Sequence, residues 1–143
     1  DVEKLQAELK AVQVAVAERA SFRATLNGNV TANAPIPFVT AYDVGGGYDA
    51  ITGVYTVPIS GAYFFYCQLF PSFLTTLNID IMCNGNICAR SRCYDKVEQS
   101  SCLSAYTAHF NAGDKVWVKP NVGGSYWGGV HSFFSGFLVS PDP

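Results

Sequence analysis

The side chains most able to bind a ligand are two neighbouring aromatic residues in a glycine-rich segment. Tyr126 and Trp127 lie within Gly123-Gly124-Ser125-Tyr126-Trp127-Gly128-Gly129. Glycines favour a loop at this position, and two large rings in a loop are hard to bury completely. Exposed tyrosine and tryptophan rings stack on sugars or on apolar protein surfaces. We therefore predict that Tyr126 and Trp127 contact a ligand; the alternative is that they pack on a neighbouring subunit or cap the end of the domain.

A second candidate site consists of three basic side chains, Arg90, Arg92 and Lys96. Arg90 and Arg92 share one face of a predicted strand, because side chains alternate between the two faces of a strand. Arginines hold anions through charge-assisted hydrogen bonds. The cluster predicts binding of an anionic group, such as a sialic acid, a sulfated glycan or a lipopolysaccharide phosphate. The alternative is a solvated surface without a ligand.

Catalytic chemistry has little support in the sequence. His109 and His131 are the two histidines of the chain, and neither has a metal-ligand partner at helical or hairpin spacing. An acyl-transfer triad is not indicated, because the sequence has no Gly-x-Ser-x-Gly turn. The run Gly45-Gly46-Gly47 lacks the lysine and serine of a phosphate-binding loop. We predict that the protein is not an enzyme.

Five cysteines lie between positions 67 and 102 without the paired Cys-x-x-Cys spacing of a zinc site, which favours disulfides and an extracellular location. The preferred pairs are local, Cys83 with Cys88 and Cys93 with Cys102, although the spacing also allows other pairings. One cysteine must remain, and it is either buried or links two chains. Cys67 is predicted to be the buried one, because it lies on an aromatic strand.

The segment Asn29-Val30-Thr31 is an N-glycosylation sequon in a polar stretch. Asn29 is therefore predicted to be exposed and glycosylated. Glycosylation of asparagine at this sequence is typical of secreted proteins. The sequon agrees with the cysteine pattern, and together they predict a secreted, extracellular protein.

The composition of the chain excludes several classes of protein. A formal net charge of -2 with nine Lys and Arg residues provides no basic surface for a phosphate backbone, so nucleic-acid binding is not expected. The apolar run over residues 62–74 is interrupted by Gln68 and Pro71, and a membrane-spanning helix needs roughly 18 uninterrupted residues. Membrane insertion is therefore not expected. With 143 residues, of which 49% are hydrophobic, one domain with its own core is predicted.

Two different periods divide the chain. Hydrophobic residues near the N-terminus are spaced three and four apart, namely Val2, Leu5, Leu9, Val12 and Val16. This spacing predicts a helical coiled-coil stalk over residues 1–20, and the remaining residues 21–143 form a globular head. The alternative is a surface helix packed on its own domain.

Apolar and polar residues alternate from Phe22 onward, which is typical of half-buried strands. The pattern recurs at residues 54–65, 77–81, 87–92, 103–110, 116–120 and 133–139. Turn residues such as Asn84-Gly85 separate the predicted strands. We predict an all-β fold, an antiparallel sandwich or jelly roll preceded by a short N-terminal helix.

Several motifs follow one another in this β-region. They are Tyr48-Asp49, Thr52-Gly53, Gly61-x-Tyr63-x-Phe65, Gly113-Asp114-x-Val116-Trp117 and a closing Ser132-Phe133-Phe134-Ser135-Gly136-Phe137-Leu138. In this order they resemble the globular head of the complement C1q family over residues 22–139. The resemblance implies a ten-stranded jelly roll, similar to that of tumour necrosis factor, which assembles as a homotrimer around an aromatic and aliphatic seam. It also implies that Trp117 is a framework residue in the core or in an interface.

The resemblance implies a function as well. Stand-alone C1q-domain proteins of invertebrates are secreted, non-enzymatic, lectin-like receptors that bind glycans on microbial surfaces in innate immunity. Calcium is a further ligand suggested by the family, although the candidate carboxylates are scattered along the chain, at Asp43, Asp49, Asp80, Asp95 and Asp114. Two alternatives stay open: an extracellular-matrix or biomineral-associated protein cross-linked through the odd cysteine, and a cytokine-like ligand of a cell-surface receptor.

Overall fold

The computed structural model describes residues 1–94 and 97–143, and in this part of the chain it contains one helix and twelve strands. The helix α1 spans Val2–Ala17. The strands are β1 Ser21–Thr25, β2 Asn29–Val30, β3 Val39–Val44, β4 Tyr48–Asp49, β5 Val54–Thr56, β6 Gly61–Pro71, β7 Thr76–Cys83, β8 Asn86–Tyr94, β9 Cys102–Phe110, β10 Lys115–Pro120, β11 Gly124–Trp127 and β12 Phe133–Pro141. The predicted all-β fold with a short N-terminal helix is confirmed. The strand count exceeds the expected ten, and β2 and β4 contribute only two residues each.

The strands form two antiparallel sheets. The first sheet has the order β2-β11-β6-β12-β1-β3. β9 also belongs to it and pairs with β6 on the edge opposite to β12. The second sheet has the order β4-β5-β10-β7-β8. Neighbours in each sheet are often distant in sequence, as in a jelly roll, so the fold depends on long-range pairing.

Aromatic rings fill the space between the two sheets. Phe22 of the first sheet stacks on Tyr55 of the second sheet, with ring centroids 4.3 Å apart, and meets Phe134 edge-on at 4.9 Å. Every second residue of β6 is buried, because alternate side chains of a strand face the core. The alternation that predicted the strands therefore also selects the core residues.

Two disulfides link the edge strand β8 to strands β7 and β9. Cys83 pairs with Cys88 across the β7–β8 hairpin, and Cys93 pairs with Cys102 between β8 and β9. These are the two local pairs that the sequence favoured. The hairpin turn uses Asn84 and Gly85, with φ angles of 51° and 87°, as its tight geometry requires. Because β8 belongs to the second sheet and β9 to the first, the second disulfide joins the two layers.

The helix α1 stands apart from the core. Asp1 caps it by accepting a hydrogen bond from the backbone N–H of Lys4 at 2.8 Å, and none of its residues is buried. The C-terminal half of the helix borders a groove that it shares with Gly45 and Gly46 of the head, and the predicted coiled-coil stalk stays a prediction. In the part of the chain that the structure describes, no helix combines the length and apolar character needed to cross a membrane.

Strand directions define two ends of the sandwich. We call the end at which α1 leads into β1 the base, and the opposite end the apex. β6 starts at the base, where Gly61 lies opposite Pro141, and reaches the apex at Pro71. β10 also starts at the base, because Ala112, just before it, donates its backbone N–H to the hydroxyl of Ser60 beside the start of β6.

Candidate functional site

Tyr126 and Trp127 lie in strand β11, although the sequence predicted a loop there. β11 pairs with the apical end of β6, so alternation turns Tyr126 inward and Trp127 outward. Tyr126 is 6% exposed, its hydroxyl donates to the carbonyl of Val122, and its ring meets Phe73 edge-on at 5.8 Å. Burial raises the pKa of Tyr126 to about 12. The prediction that Tyr126 stacks on a ligand is wrong, because nearly the whole residue is buried.

Trp127 keeps the exposure that ligand contact requires. Its side chain is 50% exposed at the apex, and Phe70 lies opposite it in the neighbouring strand. The imidazole of His131 lies 6.4 Å from the indole and 5.6 Å from the ring of Phe70. Contact of Trp127 with a ligand stays a prediction.

Asn29 is exposed in the edge strand β2, beside Ser125 of β11. The sequon is thus accessible from solvent. A glycan attached at Asn29 would lie on the edge of the first sheet, close to the apical end of the sandwich. Glycosylation itself stays a prediction.

The predicted basic cluster is divided by an ion pair. The Arg90 guanidinium donates to both carboxylate oxygens of Asp80, over 2.7 and 2.9 Å, and Asp80 is buried. The hydrogen bonds to Asp80 raise the pKa of Arg90 above its ordinary value, so the guanidinium stays charged. The Arg90 side chain is 49% exposed, but its guanidinium is already paired with the Asp80 carboxylate, so the prediction of Arg90 as a free cation for a ligand is corrected. Arg92 remains exposed on the same face, and Lys96 lies outside the described residues.

A lateral groove on the outer face of the second sheet brings together side chains that the sequence analysis did not connect. It has a volume of about 360 Å³ and is lined by Asp49, Thr52, Val54, Thr56, Lys115 and Trp117. β4 supplies Asp49, β5 supplies two residues, and β10 supplies Lys115 and Trp117. The strand register places Lys115 directly opposite Thr56, so the groove lies in the basal half of the sheet.

The groove presents two charges of opposite sign. The Lys115 ammonium donates to the Thr56 hydroxyl over 2.6 Å, which leaves two of its protons free. One carboxylate oxygen of Asp49 accepts from the backbone N–H of Ile51, which leaves the other oxygen free. Within the described residues, no carboxylate, including that of Asp49, lies within ion-pair distance of Lys115.

The sequence contained a signal for this groove. Val116 and Val118 are fully buried, so the residue between them must point outward from the second sheet. Trp117 is indeed partly exposed on the outer face and is not a core residue. Asp49 and Thr52 belong to a turn that is distant from Trp117 in sequence, and only the strand register reveals their proximity.

The outer face of the first sheet carries an aromatic surface. This aromatic face consists of Phe64, Tyr66, Phe133 and Phe137, with Leu103 on the neighbouring strand. The rings of Phe64 and Phe137 lie 5.5 Å apart, and Phe137 is 47% exposed. The Arg23 guanidinium lies over the ring of Phe133 at 4.9 Å. The other three rings are partly exposed, and a contiguous aromatic surface of this kind is typical of a protein interface.

A family model of the C1q domain matches residues 20–139. The chain belongs to the C1q-domain family. Proteins with C1q domains are typically extracellular, form homotrimers, and act as recognition proteins or ligands and not as enzymes. The predicted resemblance is confirmed.

Solved structures share the fold of this C1q domain. Murine APRIL at pH 5.0 superimposes with a TM-score of 0.70 at 16% identity, covering 85% of this chain and 99% of APRIL. The globular domain of zebrafish complement 1qA gives 0.64 at 20% identity, covering 87% of this chain and all of that domain. Eiger TNF from S. frugiperda gives 0.60 at 20% identity, covering 87% of this chain and 94% of Eiger. At these identities the likeness shows the fold alone.

The carboxylates considered as calcium ligands do not converge within one C1q domain. Asp43 accepts from the backbone N–H of Tyr48, Asp80 binds Arg90, and Asp114 accepts from Asn111 N–H in the turn before β10. No three acidic, histidine or cysteine side chains among the described residues could hold one metal ion. Asp95 lies outside the described residues. The described carboxylates of the single chain therefore do not form a calcium site.

Cys67 is buried in the core of the C1q domain. Its side chain has no solvent exposure, and its thiol forms no disulfide. Burial raises the pKa of the Cys67 thiol, because the thiolate would lose its hydration. The odd cysteine is therefore unreactive in the folded head and is not placed to link two chains.

We expect the Cys67 thiol to resist alkylation in the native protein. Iodoacetamide at pH 8 should modify no cysteine until guanidinium unfolds the chain, after which exactly one carbamidomethyl group should appear, because the other four cysteines remain paired. Intact-mass spectrometry measures the adduct. Rapid modification of the folded protein would show that Cys67 is exposed.

Proposed function

We propose that this C1q-domain protein is a secreted, homotrimeric recognition protein that binds glycans on microbial surfaces. The observation that carries the proposal is the aromatic face of the first sheet, which a single chain leaves uncovered. A trimer would bury this face and leave the second sheet and the apex open to ligands. Binding would be of the lectin type, with three weak sites acting together on a repetitive surface.

Burial of the aromatic face supplies the energy for a trimer. Removing a phenylalanine side chain from water contributes roughly 1.5–3 kcal/mol, and this face contains several aromatic residues in each protomer. Members of the family typically form homotrimers. Self-association through the first sheet is therefore the simplest way to cover the face.

The helix α1 supports the same assembly. Its predicted stalk residues are 44–67% exposed in the single chain, namely Val2, Leu5, Leu9, Val12 and Val16. An isolated helix of this length is marginally stable in water, so partner helices would stabilise it. We propose that three copies form a short parallel coiled coil over residues 1–20, which holds the three heads of residues 21–143 together.

Glycan contact is proposed at the apex, where Trp127 offers an exposed ring and Arg92 an exposed cation. Trp127 lies on the first sheet beyond the apical edge of the aromatic face, and Arg92 lies near the apical end of the second sheet, so in a trimer they would make two separate contacts with a surface that the heads approach. The indole would stack on a sugar ring, and the guanidinium would hold an acidic substituent. Because each contact is weak, useful affinity would come from three simultaneous contacts.

A binding experiment tests the proposed function. Light scattering after size exclusion should report three chains per particle, and a microbial glycan array should show binding that weakens in Trp127→Ala. The array should be run with and without calcium, because carboxylates from three chains could still meet on a trimer axis. A trimer that binds no glycan under either condition would refute the lectin function. Binding to cells that survives enzymatic deglycosylation would instead indicate a cytokine-like ligand of a protein receptor.

The matrix alternative makes a different prediction about covalent assembly. A network cross-linked through the odd cysteine would run as disulfide-bonded oligomers on a non-reducing gel. With Cys67 buried and the other cysteines paired, we propose that the trimer is held by noncovalent contacts alone. The protein should then migrate as a single chain with or without reductant.

A further inference from the structure

We propose that the lateral groove of the second sheet binds a zwitterionic group of the phosphocholine type, in which a phosphate and a quaternary ammonium are a few bonds apart. This site is separate from the apical residues and from the aromatic face. The groove offers a cation, an anion and an indole at the same place. Each of these features matches one part of such a ligand.

Lys115 is the partner for the phosphate. Its ammonium is held at one wall by a single hydrogen bond to the neutral hydroxyl of Thr56. This contact restricts the flexible side chain without neutralising the charge. The two remaining protons can donate to phosphate oxygens as charge-assisted hydrogen bonds, which are stronger than hydrogen bonds between neutral groups.

Asp49 and Trp117 are the partners for the quaternary ammonium. Trp117 is partly exposed in the groove, and a quaternary ammonium is attracted to the face of an indole ring. The free oxygen of Asp49 adds a negative charge, while its other oxygen keeps the carboxylate oriented through Ile51. A quaternary ammonium has no N–H group to leave unpaired, so it loses less hydration than a primary ammonium on entering an aromatic and carboxylate environment.

The two charges of the groove favour a zwitterion over a simple ion. A ligand that carries only a phosphate would be attracted by Lys115 but repelled by Asp49. A ligand that carries only a positive charge would be attracted by Asp49 but repelled by Lys115. Among the described residues neither Asp49 nor Lys115 forms an ion pair, so both charges are available to a ligand. The volume of about 360 Å³ is at the low end for ligand pockets, which suits a head group better than an oligosaccharide.

The position of the groove keeps it open in an assembled protein. It lies on the outer face of the second sheet, and the aromatic face lies on the outer face of the first. The core of the sandwich separates the two surfaces. A trimer that buries the aromatic face would therefore present three lateral grooves to solvent.

Tryptophan fluorescence provides a direct test. The chain has two tryptophans, so Trp127→Phe leaves Trp117 as the only indole. In this background, titration with phosphocholine should change the emission of Trp117 in a saturable way. Choline alone and inorganic phosphate alone should bind at least about tenfold more weakly than phosphocholine, since each lacks one of the two charge contacts.

Two conservative variants test which side chain binds which end of the ligand. Lys115→Gln should weaken phosphocholine about tenfold and leave choline unchanged or slightly tighter. Asp49→Asn should also weaken phosphocholine, but not inorganic phosphate, and asparagine can still accept the N–H of Ile51. Lys119→Gln is the matched control, because Lys119 lies on the same face of β10 but outside the groove, and it should bind like the parent.

The same variants identify the outcome that would overturn the site. If phosphocholine causes no saturable change, or if Lys115→Gln and Lys119→Gln bind it equally well, the lateral groove is not a phosphocholine site. A second set of measurements with phosphatidylcholine vesicles distinguishes the sources of the group. Retention on vesicles supports a lipid head group, and binding of soluble phosphocholine without retention supports phosphocholine carried on a soluble or glycan-linked molecule.

Discussion

Phe137→Asp is expected to separate the trimer into monomers at micromolar concentration. The ring of Phe137 is half exposed in a single chain and lies beside Phe64 in the middle of the aromatic face. Because about half of the Phe137 side chain is already buried in the single chain, the substitution would remove about 1 kcal/mol of apolar burial from each protomer of a trimer that buries this face, and it would introduce three carboxylates that lose their hydration. Summed over three protomers, the apolar loss is about 3 kcal/mol, or roughly a 10²-fold weaker association, and the cost of desolvating the carboxylates adds to it.

A matched control separates this effect from a general effect of added charge. Ile51→Asp introduces the same carboxylate at a side chain that is 90% exposed in the turn between β4 and β5, and it should remain trimeric. Light scattering after size exclusion measures both variants, and circular dichroism confirms that both are folded. A Phe137→Asp protein that stays trimeric across the micromolar range would show that the chains associate through another surface.

The monomeric Phe137→Asp variant also allows the affinity of one head to be measured apart from the avidity of the trimer. Phe137 lies on the first sheet, so the substitution leaves the lateral groove and the apical residues of each head unchanged. Soluble phosphocholine should therefore bind the monomer and the trimer equally well per chain. Binding to a repetitive surface should fall much further, because only the trimer can make three contacts at once.

Much of the fold could be predicted from the sequence because local chemistry determines it. Alternation along β6 separates Phe65, which faces the core, from Phe64, which faces out. Asn84-Gly85 allows the positive φ angles of a tight hairpin, and the hairpin places Cys83 near Cys88. These features depend on residues close together in the chain, so a single sequence contains enough information.

The candidate sites were harder to predict because they depend on long-range register. The glycines around Tyr126 suggested a loop, yet pairing of β11 with β2 and β6 forms a strand and buries the tyrosine. Arg90 seemed free for a ligand, but the cross-strand register places it opposite the buried Asp80. The lateral groove likewise requires Asp49 and Lys115 to be neighbours, and no local pattern in the amino-acid sequence predicts that they are close in space.

Gly53→Ala is expected to destabilise the head by about 2–4 kcal/mol. Gly53 closes the turn that carries Thr52 into the lateral groove, and its N–H donates to the carbonyl of Asp49 over 2.8 Å. Its φ angle is +78°, which costs an alanine about 1 kcal/mol. A Cβ atom at this position would also overlap the carbonyl oxygen of Ile36, so the backbone must move. Such overpacking adds about 1–3 kcal/mol.

Gly46→Ala isolates the steric part of this cost. Gly46 has a similar φ angle of +72°, but no atom lies within 4 Å of a Cβ placed there. This variant should lose only about 1 kcal/mol, from backbone conformation alone. Denaturant unfolding should be measured in the monomeric Phe137→Asp background, where stability does not depend on protein concentration. Equal losses in the two glycine variants would show that the turn at Gly53 can shift away from Ile36, and the groove would then be more adaptable than its close packing implies.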